Sequence, residues 1–576
     1  MIGLLTVAFV CTGLLSAGSA SAAAVPYAPK YHAGIDAYSS YEPESSCSVK
    51  PKPGVVAWRD LLVRTYGSRW SNISRACSAS MSGHEEGRSL DYGNLASNPT
   101  QKAQADALLT WLLATDVHGN THAMARRLGI QYIQYNNKMW RAYNAAAGWQ
   151  PQMLGGKSCA KRGAGYVTAC HRDHIHFSFS WAGARKKTSY FTGWVPCPTP
   201  TTPTITPPEP VDLTPVPVAN ARLLDTRFGD TACRLPPKGY IDVKVTGVGG
   251  VPSSGVGAVA LNITGISPAG RATYLSAYPA GTTWGGTSSV GVPVNGVAVS
   301  MVVVPVGSNG MVRIRSTAAP VDVAVDVVAY FATAASTTGD GYTPVPEQRV
   351  LDTRETTMMG SRERRVIQVT GQYGVPVGAT GVLVNVTSIG SARTGHLTVS
   401  PTLPSAVTTA TVNYVRGEAK ANRAITQLAP DGTLALYTHV PGHVTIDIVG
   451  WFGTGGEGLR YNPLTAARVL DTRNGTGGVA TLVAGTPGIL TVAGHGGVPT
   501  DARAVVGTLT VVRPSANTTA TVWAAGRSVP PTSDLSVNQA AIRENLVAPE
   551  LTDGQVGLTV GAGSAPTVLD VLGYFR

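Results

Sequence analysis

Two short stretches hold the residues best suited to chemistry. The first, "SGHEEGRSLDYG" (82–93), sets His84 and Asp91 seven positions apart with Gly87 between them. The second, "CHRDHIHFSFSW" (170–181), places Asp173, His174 and His176 at the head of an alternating aromatic run. In a strand, successive side chains point to opposite faces. Ile175, Phe177, Phe179 and Trp181 would then face a core, and His174, His176, Ser178 and Ser180 would face outward, where a histidine can bind metal without the cost of burial. A catalytic zinc takes three protein ligands and keeps a fourth position for water. His84, Asp91 and His176 meet that requirement, with Asp173 as the base that activates the water. Gly87 lets the chain turn between the first two ligands.

These spacings resemble the D-alanyl-D-alanine carboxypeptidase family of zinc peptidases, a group that also includes lysostaphin-type peptidases and the hedgehog signalling domain. Ser82 to Asp91 matches its S-x-H-x-x-G-x-[AS]-x-D signature, and Asp173-x-x-His176 matches its closing acid-x-x-His. The resemblance covers roughly residues 50–190. It implies zinc held by His84, Asp91 and His176, catalysis by Asp173 with His174 as helper, and D-amino-acid-containing peptides of bacterial peptidoglycan as substrates. Ser82, Arg75 and Arg88 are the candidates to hold substrate, an arginine fork suiting a terminal carboxylate. The sequence departs from the family in having Asp173 where many members carry Glu, and in an extra histidine, His171, to which the pattern gives no role. Glu85 and Glu86 read as solvated turn acids, and Tyr132 and Trp140 as core or cleft wall.

The elements that must position these residues follow from periodicity. Leu108, Trp111, Leu112 and Thr115 fall at helical spacing within 100–119. Residues 122–129 predict a second helix, stopped by Gly129. "IQYIQYNNKMW" predicts strand, Asn-rich turn and strand. The chain therefore reads as multidomain: an α+β zinc peptidase domain at 23–195 (core about 50–190), then three all-β repeat domains, each a sandwich or barrel. "PCPTPTTPTITPPEPVDLTPVP" (196–217) predicts a semi-rigid polyproline spacer. Beyond it, Asp225, Asp352 and Asp471 of "LDTR" recur 127 and 119 residues apart, each followed by "GVP" and closed by "VDVVAYF", "IDIVGWF" or "LDVLGYF". The repeats span 218–333, 342–454 and 461–576. They are similar to modules at the C-termini of exported actinobacterial proteins. The Asp-Thr-Arg triplets read as buried ion pairs in preference to ligand contacts.

Composition bounds the setting. The chain of 576 residues carries a net charge of +12, and residues 23–195 hold 20 Lys and Arg against 10 Asp and Glu. A basic exported domain suits an anionic wall polymer, and no nucleic-acid motif is present. Residues 1–22 read as a secretory signal peptide ending in Ala20-Ser21-Ala22, although no Lys or Arg precedes the apolar run. An uncleaved anchor is the alternative, and no later run is long enough to span a membrane. Six cysteines remain after the leader, an even count that suits disulfides in a secreted chain, with Cys159–Cys170 the expected pair. The expected protein is a secreted, wall-associated Zn2+ metallopeptidase whose β modules attach to wall polymer or carbohydrate. The competing reading is a non-catalytic surface or wall-binding protein whose β modules mediate adhesion or assembly.

Overall fold

A computed structural model of the chain describes residues 24–27, 31, 34–78, 81–206, 212–228, 232–266, 271–333 and 341–576. It forms two compact units, Met1–Val195 and Pro196–Arg576. The leader expected at 1–22 lies outside the described residues. Among the described residues, no helix is long and apolar enough to cross a membrane.

The first unit is built on one antiparallel sheet. Its strands are β1 (Ser71–Asn72), β2 (Ser89–Gly93), β3 (Ile130–Tyr135), β4 (Lys138–Arg141), β5 (Gln150–Pro151) and β6 (His174–Phe179). They lie in the order β1-β2-β6-β3-β4-β5. The β3–β4 turn follows from Asn136 and Asn137, which adopt φ of 46° and 69°; Asn tolerates this left-handed region better than most residues. One sheet face is covered by helices α1 (Pro53–Tyr66), α2 (Pro99–Leu113) and α3 (Ala123–Leu128). Val55, Trp58, Leu62, Leu108 and Leu112 join Ile175, Phe177 and Phe179 in one core, where Trp58 meets Phe177 edge-on at 5.5 Å.

Three expectations shift here. The helix at 100–119 ends at Leu113, because Ala114 is already extended. Trp181 is not in the strand; β6 stops at Phe179, and Ser180 caps a short helix, Trp181–Ala184. The histidine face of β6 does not look out to solvent: all six of its residues are buried.

The second unit holds three modules of a common plan, each with a pair of four-stranded antiparallel sheets, to which the third adds the short pair Leu482–Val483 and Ser564–Ala565. In each, the strand bearing the LDTR motif pairs with the closing strand: Thr214–Asp225 with Asp322–Ala332, Gly341–Asp352 with His443–Gly453, and Tyr461–Asp471 with Thr567–Phe575. The triplets are structural. Arg222, Arg349 and Arg468 each bridge the motif aspartate to the closing-strand Asp326, Asp447 or Asp570. Arg227, Arg354 and Arg473 clasp the motif aspartate from its other side. The intervening Thr226, Thr353 and Thr472 accept the backbone N–H of Val323, Val444 and Thr567.

The modules are not independent beads. Their inner sheets share one apolar core that includes Met301, Phe331, Tyr342, Phe452, Tyr461, Leu546 and Phe575. Nor is 196–217 a free spacer over its described part. Cys197 is bonded to Cys233, Ile205 N–H donates to Gly281 O, and Leu213 bridges Tyr461.

Candidate metal centre

The site is assembled by register. Asp91 on β2 sits directly opposite His176 on β6, so both side chains emerge from the same sheet face. His84 reaches them from the turn before β2. Gly87 closes that turn at φ +66°, where an added Cβ would lie 2.3 Å from Lys50 O. The preceding chain straps the turn down: Ser48 N–H donates to Glu85 O, Lys52 N–H donates to Gly87 O, and Cys47 is bonded to Cys77.

The ligating atoms of His84, Asp91 and His176 all lie within 4.8 Å of one another. His176 Nδ1 is 2.7 Å from Asp91 Oδ1, His84 Nε2 is 3.2 Å from Asp91 Oδ2, and the two imidazoles approach to 3.3 Å between His84 Nε2 and His176 Nδ1. Zinc bonds of about 2.0–2.2 Å in tetrahedral geometry set donor atoms roughly 3.4 Å apart, so a small expansion of this triangle accommodates the ion. Protonation states agree. His84 Nδ1 lies 3.1 Å from Ile73 O. A carbonyl only accepts, so Nδ1 carries the proton and Nε2 presents its lone pair. Burial holds the His176 imidazole below its usual pKa. Burial alone would raise Asp91, but the adjoining His176 and His84 side chains outweigh it and hold the carboxyl below its usual range. Two imidazoles and one carboxylate form a three-ligand set that a tetrahedral metal ion such as zinc would fit, with a fourth position left for another ligand.

Asp173 lies one side chain further out than expected. Its Oδ1 is 2.7 Å from His174 Nδ1, and its Oδ2 accepts from Thr168 Oγ1 at 2.6 Å. His174 Nε2 in turn lies 3.4 Å from Asp91 Oδ1. The acid therefore orients His174, and the histidine is the group beside the cluster. Burial raises the Asp173 pKa, but the bonds from Thr168 and His174 bring it below the usual carboxylate range.

His171 also finds a place. In a left-handed conformation, φ 54°, it sets its ring 4.8 Å from that of His174 and 5.6 Å from that of His176. Gln152 Oε1 holds its Nδ1 at 3.0 Å. Burial, with His176 and His174 adding to it, lowers its pKa to about 3, so it is a neutral wall. The loop that carries it is tied by the Cys159–Cys170 disulfide. Tyr132 stacks on His176 at 5.6 Å and Trp70 meets His174 edge-on at 5.8 Å. Only their aromatic character marked either in the sequence, because their proximity comes from sheet order. Trp140 is core.

The substrate candidates divide. Arg88 is fully buried and donates to Glu86, to Phe179 O and to Glu42 O; it fastens strand to strap and offers substrate nothing. Glu86 and Glu85 are buried as well, not solvated. For Glu85, burial opposes ionisation but bonds from Ser82, its own backbone and Ser78 win, setting its pKa at about 2. Ser82 Oγ accepts from Arg75 at 2.8 Å and donates to Glu85 at 2.6 Å. Arg75 remains half exposed.

Among the solved structures that match, two share low similarity with the chain. One is described as the triple jelly roll fold and turret assembly in an archaeal virus, with 8% identity, 66% of this chain and 98% of that chain covered, and a TM-score of 0.14. The other is the atomic structure of Sulfolobus turreted icosahedral virus, with 9% identity, 65% and 98% covered, and a TM-score of 0.14. Neither carries an argument about this fold. No curated protein matches the chain. The family model described as VldE, C-terminal domain, matches residues 47–162, a span that contains His84 and Asp91 and stops before Asp173, His174 and His176.

Proposed function

We propose that the first unit is a zinc metallopeptidase that hydrolyses D-amino-acid-containing peptide bonds of bacterial peptidoglycan outside the cell. The observation that carries this reading is the convergence of His84, Asp91 and His176, with the His84 tautomer fixed and an Asp173–His174 pair alongside. Zinc bound there supplies Lewis acidity, polarising a peptide carbonyl and acidifying a water. The protein's own groups do the rest. Asp173 holds His174 through Nδ1 and orients its Nε2 at the cluster, where it would take up a proton and return it to the leaving amine. His171 and Tyr132 wall the ligands and restrict water. Arg75, half exposed beside Ser82 and paired with Glu85, is the candidate to meet a substrate carboxylate.

Three disulfides suit an oxidising extracellular compartment, and the basic charge of this unit suits an anionic wall. The test is metal analysis of the purified chain together with mass spectrometry of peptidoglycan incubated with it. Stoichiometric zinc and released peptides are expected, and His84→Ala should abolish both. Cleavage that persists in that variant would sink the proposal. Zinc without cleavage would favour the non-catalytic wall-binding protein.

A further inference from the structure

Where the second and third modules meet, the structure buries charges that the shared plan does not need. Arg423 is 1% exposed and pairs through Nη2 with Asp534, also 1% exposed. Its Nη1 lies 3.6 Å from Oε1 of Glu347, whose side chain is 8% exposed. Among the described residues, neither Arg423 Nη1 nor Glu347 Oε1 has a hydrogen-bond partner. Buried charge with unmet donors and acceptors is costly, so its presence calls for a reason.

The sister modules show that folding is not the reason. Arg423 pairs with Asn385, which pairs in turn with Asp447. The same register places Met301 in the first module and Leu546 in the third. Asp534 accepts the N–H of Val522; in the other modules a hydroxyl does this, Ser289 for Ala277 N–H and Thr411 for Val399 N–H. Glu347 stands two residues before the ladder arginine, where the others have Asn220 and Ala466. The first module carries none of these charges, the second carries Arg423 and Glu347 and the third Asp534, so the ionic triad forms only where the second and third meet.

That triad lines a cavity of about 520 Å³, together with Trp523, Arg527 and Glu550. The volume is within the ~300–1,000 Å³ usual for small-molecule sites. Trp523 is anchored by its Nε1–H to Arg527 O at 3.1 Å, and Arg527 is paired with Glu550 at 2.8 Å. The charges largely cancel in pairs, which disfavours a strongly charged ligand. What remains is an aromatic wall and, 3.6 Å apart, a guanidinium Nη1 and a carboxyl Oε1 that form an ion pair without a hydrogen bond.

We propose that this cavity is a saccharide-binding site: the Glu347 carboxyl and Arg423 guanidinium hydrogen-bond sugar hydroxyls while the Trp523 wall packs against the sugar's C–H face. The site does not depend on the metal centre, so either reading can fail alone.

The test is calorimetric titration of the full chain with cellotetraose and chitotetraose, with spermidine as a cationic control. One saccharide should bind at one site per chain. The sister-residue variant Arg423→Met/Asp534→Thr/Glu347→Asn should bind at least ~10-fold more weakly, the cost of losing one charged hydrogen bond, while melting at or above the parent temperature. Glu347→Gln alone should also weaken binding, which keeps the test decisive if the triple variant fails to fold. Absence of saccharide binding, binding of spermidine in its place, or unchanged affinity in Glu347→Gln would each overturn the proposal.

Discussion

His84 enters the cluster with its tautomer already chosen, because the Ile73 carbonyl claims Nδ1. His174 is set the same way by Asp173. Under the proposed function, these two contacts divide the site into groups that would hold metal and groups that would move protons, and substitutions should separate them. Asp91→Ala removes a ligand and should leave the purified chain without zinc. Asp173→Asn leaves all three ligands in place and should retain stoichiometric zinc. It replaces the carboxylate that holds His174 Nδ1 with an amide, so peptide release should fall by roughly 10²–10³, within the range that proton transfer contributes. Metal content and turnover measured on the same samples check this. Loss of zinc in Asp173→Asn would show that the acid holds the ligand set and does not serve proton transfer. The spacing of His84, Asp91 and His176 is legible in the sequence, since fixed offsets within each stretch carry it. The placement of Ile73 O, Trp70, Tyr132 and His171 is not, because it arises from strands distant in sequence.

Among elements, the LDTR ladders show how a repeated motif can resemble a ligand site while serving the fold. Asp352 accepts from Arg354 through both oxygens and also pairs with Arg349. Those bonds, led by Arg354, lower its pKa from 3.8 to about 2, and Arg473 does the same for Asp471. A carboxylate with a depressed folded pKa contributes stability that is complete above its unfolded pKa. That contribution disappears as pH falls through the folded value, because the unfolded chain binds more protons in between. The melting temperature should therefore fall between pH 4 and pH 2. Asp352→Asn should lower stability by about 1–3 kcal/mol at neutral pH and flatten part of that acid slope, as read by denaturant titration at several pH values. A slope identical to the parent's would mean that the ladder does not couple to folding. The structural role of the triplet was legible because it adjoins apolar residues at the start of a strand. Helix α1 was not: Gly54, Val55 and Val56 obscure its period, and it forms because Pro53 fixes its start and Val55, Trp58 and Leu62 bury against the sheet.

At the scale of the whole second unit, the repeat predicted three separate domains, and the structure joins them. Phe331 meets Tyr461 at 4.7 Å, and Phe575 meets Tyr342 at 4.4 Å and Tyr461 at 5.4 Å. Asn422 donates to Asn262 across one junction and Asn545 to Asn385 across the next. The ends are closed as well: Asp212 accepts from Asn462 and pairs with Arg576. Periodicity within a module identifies its inward faces, but residues such as Tyr342 and Phe575 look like ordinary strand ends until a second module covers them. Each buried ring contributes about 1.5–3 kcal/mol that an isolated module would forfeit, and the exposed remainder would form an apolar patch. The modules should therefore unfold together. Calorimetry of the intact chain should show one transition for the β unit, not three. A chain ended after residue 454 should not retain two modules at full stability: it loses Tyr461 and Phe575 from the common core, and its transition should fall by many degrees or give way to aggregation seen by light scattering. A truncated chain that stays monomeric and melts where the intact unit does would show that the shared core adds contact without cooperativity.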